Sequence, residues 1–199
     1  AGDARDPCWS ERDALLVRWL ERLREAKTPD PEVELLAGEA AEGLAAAGGP
    51  FPPGLGIVEK PGPSGTHAFY DGTAFQRALE LLGKDQGPGA ARLRERATAG
   101  ALRAQFPERS NNLATLTQES AAWLTLAETA EDPGVLRSAA ERAGGSSLAL
   151  GRYLLALGKA DDLTRLQERV RFAGARVQTF VPGGTEGRRL NSRGVILRA

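Results

Sequence analysis

The stretch Asp30-Pro31-Glu32-Val33-Glu34-Leu35-Leu36-Ala37-Gly38-Glu39-Ala40-Ala41-Glu42-Gly43-Leu44-Ala45-Ala46-Ala47-Gly48-Gly49-Pro50 spells out a whole helix with both of its ends. Asp30 supplies an acceptor for the first free amide groups, and Pro31 stands where a missing N–H costs nothing. Val33, Leu36, Ala40 and Leu44 recur at helical spacing, and Gly48-Gly49-Pro50 stops the run.

The same signs appear on either side of it. Ser10 and Asp13 form an approximate capping box before Leu15, Leu16, Trp19, Leu20 and Leu23, predicting a helix over about 11–26. Thr73-Ala74-Phe75-Gln76 is a capping box that opens a helix carrying Phe75, Leu79 and Leu82 up to Gly83. Gly87-Pro88 starts another helix, continuing to about Gln105. Asn111-Asn112 breaks the chain and Thr115-x-x-Gln118 offers a further cap, before Leu116, Ala121, Trp123, Leu124 and Leu126. Asp132-Pro133 restarts the pattern and Gly144-Gly145 closes it. Ser147 caps a run over Leu148–Leu157, and Asp161 caps a last one that carries Leu163, Leu166 and Val170 to Gly174. Capping chemistry alone accounts for the two Asp-Pro starts, since no fixed period joins them.

Two segments depart from this grammar. Residues 50–72 are rich in Pro and Gly around Gly56-Ile57-Val58 and His67-Ala68-Phe69-Tyr70, which reads as a long ordered loop or a minimal hairpin. After Gly174, Arg176-Val177-Gln178-Thr179-Phe180-Val181 reads as a strand. Arg188–Leu190 and Val195–Arg198 flank a turn at 191–194. The expected fold is therefore mainly α, with about eight helices and a small C-terminal antiparallel β element, α+β overall. The expected organisation is a helical domain over 1–174, with the irregular loop at 50–72, and a β-hairpin element over 175–199. That element is too small to stand alone and must pack on the helices or on a partner.

Composition agrees with a helical core: the 199 residues include 33 Ala and 27 Leu but only two Ile. Cys8 stands alone, so there is no disulfide framework, and Cys8 with His67 gives at most two of the four ligands of a zinc site. No metal site and no cofactor is expected. No apolar run is long enough to span a membrane, and the first thirty residues lack the pattern of a signal peptide. A start at Ala and the absence of Met favour an exported mature chain over a cytoplasmic one.

The balanced charge, 26 bases against 26 acids, hides an asymmetry: residues 1–49 hold 11 acids and 6 bases, whereas residues 164–199 hold 8 Arg and 2 Glu. Such ends can attract one another between chains, or a basic end can attract an anionic partner.

No phosphate-binding loop, zinc-protease helix, nucleophile elbow or calcium loop is present in the sequence. A histidine-centred hydrolase or transferase site would have to use His67 as general base, oriented by Asp71, with Tyr70 as proton donor. The same residues have a structural role to play instead: His67 and Phe69 alternate along one side of an extended run, and Asp71 caps the next helix. An anion or nucleic acid would meet Arg188, Arg189, Arg193 and Arg198 beside the loop at 182–187, although that loop matches no phosphate-binding pattern. The paired acids Glu131-Asp132 and Asp161-Asp162 suit helix starts, Trp19 and Trp123 suit helical cores, and Trp9 suits a staple against the first helix. The leading expectation is a non-enzymatic binding or assembly module acting through another protein chain or through self-association. Anion or nucleic-acid binding by the C-terminal arginines and a small enzyme around His67 are the alternatives.

Overall fold

A computed structural model describes residues 29–48, 54–62, 65–83, 87–107 and 111–180, together with Leu15, Arg18, Trp19, Arg22 and Glu25, which are helical. Its elements are α1 (Pro31–Ala47), β1 (Ile57–Gly62), β2 (Gly65–Tyr70), α2 (Thr73–Leu82), α3 (Pro88–Gln105), α4 (Leu113–Thr129), α5 (Pro133–Ala156) and α6 (Ala160–Phe180). They fall into two compact units, Ala1–Gln105 and Phe106–Ala199.

In the first unit α1 begins where its letters place it: Asp30 Oδ1 accepts from the Glu32 and Val33 amides at 2.8 and 3.4 Å. A cap of this kind is worth about 1 kcal/mol. Gly48 ends the helix at φ +69°. The face turned to the core is Leu35, Gly38, Ala41, Leu44 and Ala45, whereas Val33, Leu36 and Ala40 of the predicted stripe lie half-buried beside it. The displacement has a packing cause on α2. Phe75 is fully buried, and a Cβ at Gly38 would stand 2.7 Å from its Cε1; a Cβ at Gly100 on α3 would stand 2.5 Å from the same atom. The ring thus occupies a slot that two glycines leave open, and a hydropathy stripe, which scores glycine as neutral, points elsewhere.

Around Phe75 gather Leu35, Ala41, Ala45, Tyr70, Ala78 and Ala97. Tyr70 meets its ring edge-on, with centroids 5.6 Å apart at 77°. Arginines on α3 tie the unit together from outside the core. Arg96 forks onto both carboxylate oxygens of Glu39 at 2.8 Å, and Arg103 pairs with Glu42 at 2.6 and 2.8 Å. Arg94 donates to the Gly83 carbonyl at the end of α2. These pairs are about a third exposed, so each contributes up to about 1 kcal/mol.

The described residues of the second unit form three helices, α4, α5 and α6, joined by short connections and packed on one another. Asn112 caps α4 through its Oδ1, accepting from Ala114 and Thr115, so the cap lies three residues before the predicted one at Thr115. Asp132 caps α5 as expected, accepting from Gly134 and Val135 at 2.9 Å.

Helix α5 then corrects the sequence reading. Two helices were expected across Gly144-Gly145, and a single one runs from Pro133 to Ala156. Neither glycine takes the left-handed conformation that ends a helix. Ser147 is no cap: it is buried, and its hydroxyl lies 2.8 Å from that of Ser120 on α4, each supplying the other's partner. The small residues Ala139, Ala143, Ser146, Ser147 and Gly151 are all buried along α5. Tertiary packing here outweighs a glycine penalty of about 1 kcal/mol per residue.

The C-terminal β element is the second correction as far as it is described; its runs at 188–190 and 195–198 lie outside the described residues. Residues 176–180, expected as a strand, complete α6, while the antiparallel sheet lies in the middle of the chain. Gly174 does not adopt positive φ. Leu163, Leu166, Val170, Ala173 and Val177 keep a 3-4-3-4 spacing through it, all half-buried or buried, so the seam overrides the β propensity of Val177 and Thr179. Among the described residues there are six complete helices rather than eight, because two of the predicted ones fuse and the segment over 11–26 is described only in part. Trp123 is fully buried as expected. Trp19, expected in a core, is 38 % exposed, beside Leu15 at 65 %.

Candidate interaction surface

The segment with the richest mixture of functional side chains is the hairpin of β1 and β2, and its register decides which of them meet. Ile57 pairs with Tyr70, Val58 with Phe69, Glu59 with Ala68 and Lys60 with His67. Asp71 N–H donates to the Gly56 carbonyl at 2.8 Å, which continues the register by one pair and marks it as hydrogen-bonded. Alternation then makes Val58–Phe69 and Lys60–His67 the hydrogen-bonded pairs. It turns the backbone groups of Ile57, Glu59 and Pro61 away from β2. Pro61 therefore sits where its missing N–H costs the hairpin no bond, and it blunts the outer edge of β1.

Side chains alternate in the same way. One face directs Ile57, Ala68 and Tyr70 into the core of the first unit. The opposite face carries Val58, Lys60, His67 and Phe69. Lys60 Nζ lies 4.8 Å from the centroid of the Phe69 ring, a diagonal cation–π contact across the two strands. Val58 is 39 % exposed, Lys60 and His67 are exposed, and Phe69 is half-buried. One pair further on, the same face carries Asp71 opposite Gly56, with its carboxylate engaged by Thr73.

The three residues of the histidine-centred reading are thus placed apart in role. His67 is on the outer face opposite Lys60. Tyr70 is on the inner face, buried, and its hydroxyl accepts a 2.6 Å bond from the Ala74 amide. Asp71 Oδ1 accepts from both the amide and the hydroxyl of Thr73, at 2.9 and 2.6 Å. The start of α2 is therefore held by Asp71 and Tyr70. Gly72 stands at its N-cap with φ +83° and no side-chain bond, so the predicted Thr73 box is replaced by the two residues that precede the glycine.

Arginine placement bears on the anion-binding reading. Arg188, Arg189, Arg193 and Arg198 lie outside the described residues, as do Cys8 and Trp9. Of the basic segment from 164 onward, Arg169 forks onto Glu128 at 2.7 and 2.9 Å and also reaches the Thr125 hydroxyl. The Glu128 hydrogen bond raises the Arg169 guanidinium above its ordinary range, against the opposing effect of partial burial. One heptad on, Arg176 donates to the carbonyls of Ala127 and Ala130 at 2.6 and 2.8 Å. Those are carbonyls at the end of α4, where the helix leaves acceptors unmet and a cation is favoured. The sequence showed a positive tail but not its employment: half of the four arginines described there fasten α6 to α4. The planar fork of a guanidinium suits both contacts better than the single ammonium of a lysine.

None of the helices formed by the described residues is long and apolar enough to cross a membrane. Comparison of the chain with known protein families, with characterised proteins and with solved structures finds no match.

Proposed function

We propose that this chain is a non-enzymatic helical module that acts through protein–protein contacts, with the outer face of the β1–β2 hairpin as its contact surface. The observation that carries the reading is the alternation of the hairpin. One face is spent on the core around Phe75, and the other offers Val58, Phe69, Lys60 and His67 on a two-stranded support. Apolar area beside the Lys60 ammonium suits a partner whose surface pairs an apolar side chain with an acid. The internal use of Arg96, Arg103, Arg169 and Arg176 supports the same view, because those charges hold helices and are not presented as a binding array.

The test compares the wild-type chain with the Val58→Glu/Lys60→Glu variant, in quantitative capture of binding proteins and in light scattering over a concentration series. Both substitutions are at exposed positions, and unchanged circular dichroism would show that the fold is kept. A protein, or a second copy, that binds the wild type and is lost from the variant is the expected result. Identical capture profiles and identical masses for the two proteins would defeat the proposal.

A further inference from the structure

We draw no further inference here: the strongest candidate, the exposed apolar pair Tyr153 and Leu157 at the C-terminal end of α5, is an unpartnered surface of the second unit, and nothing in the structure shows what covers it.

Discussion

Replacing Gly100 by alanine sets two effects of opposite sign against each other. In a helix interior alanine is favoured over glycine by about 0.5–1 kcal/mol, through the smaller entropy lost on folding. Against that, the new methyl would stand 2.5 Å from Phe75 Cε1 and 2.6 Å from Cδ1 and Cζ. Comfortable carbon contacts are about 3.5–4.0 Å, so the ring must retreat by about 1 Å. It has nowhere to go, since it is fully buried and α1 closes the other side at Gly38. Overpacking of this kind costs about 1–3 kcal/mol, so after the helix gain Gly100→Ala should destabilise the first unit by up to about 2.5 kcal/mol. Gly43→Ala is the control. Gly43 lies in α1, exposed, with nothing within 4 Å of its added methyl, and it should stabilise by about 0.5–1 kcal/mol. Urea unfolding, with hydrogen exchange of peptides from α1 and α3 to localise the change, measures both. Shortening the ring, Phe75→Leu, should make the cost of Gly100→Ala fall by more than 0.5 kcal/mol in the double variant. If Gly100→Ala stabilised as much as Gly43→Ala, the slot would not exist and the packing of α2 between α1 and α3 would be wrong.

Other outcomes follow from the second unit and are checked in the same unfolding assay. Gly144→Ala should stabilise by up to about 1 kcal/mol, because α5 passes through that position with nothing within 4 Å of the new methyl; a helix ending there would make the substitution costly. Arg176→Ala should cost about 1.5–3 kcal/mol by removing charged donors from the Ala127 and Ala130 carbonyls, and Arg176→Lys should restore only part of it. Ser120→Ala and Ser147→Ala should each cost about 1–2 kcal/mol by leaving the other hydroxyl buried without its partner, with the double variant no worse than either single one.

What was legible in the sequence is what local chemistry determines. Asp30-Pro31 and Asp132-Pro133 each fix a helix start through a side chain and a ring acting within three residues, and both are found in place. The Pro- and Gly-rich segment was legible as a loop or hairpin, and alternation already separated His67 with Phe69 from Tyr70. What was hidden depends on partners distant in sequence. Gly144-Gly145 ends a helix by local rules, yet α5 runs through it, packed along its length on residues distant in sequence, the Ser120–Ser147 contact among them. Val177-Gln178-Thr179-Phe180 has strand propensity, yet its register on the seam of α6 and the reach of Arg176 to α4 make it helical. The inward face of α1 was misplaced because its key member, Gly38, matters for the atoms it lacks. Of the candidate site, the residues were visible, but their division between two faces of a sheet required the pairing register.

The claim that the hairpin presents a contact surface is tested most directly by a photo-crosslinking amino acid placed at Val58, with the same group at exposed Gly43 on α1 as the reference. Irradiation in the presence of the chain's native surroundings should give an adduct of discrete mass at position 58, twice the chain mass for self-association or the sum with a partner otherwise, and none at position 43. Equal labelling at both positions, or no adduct at position 58, would contradict the account.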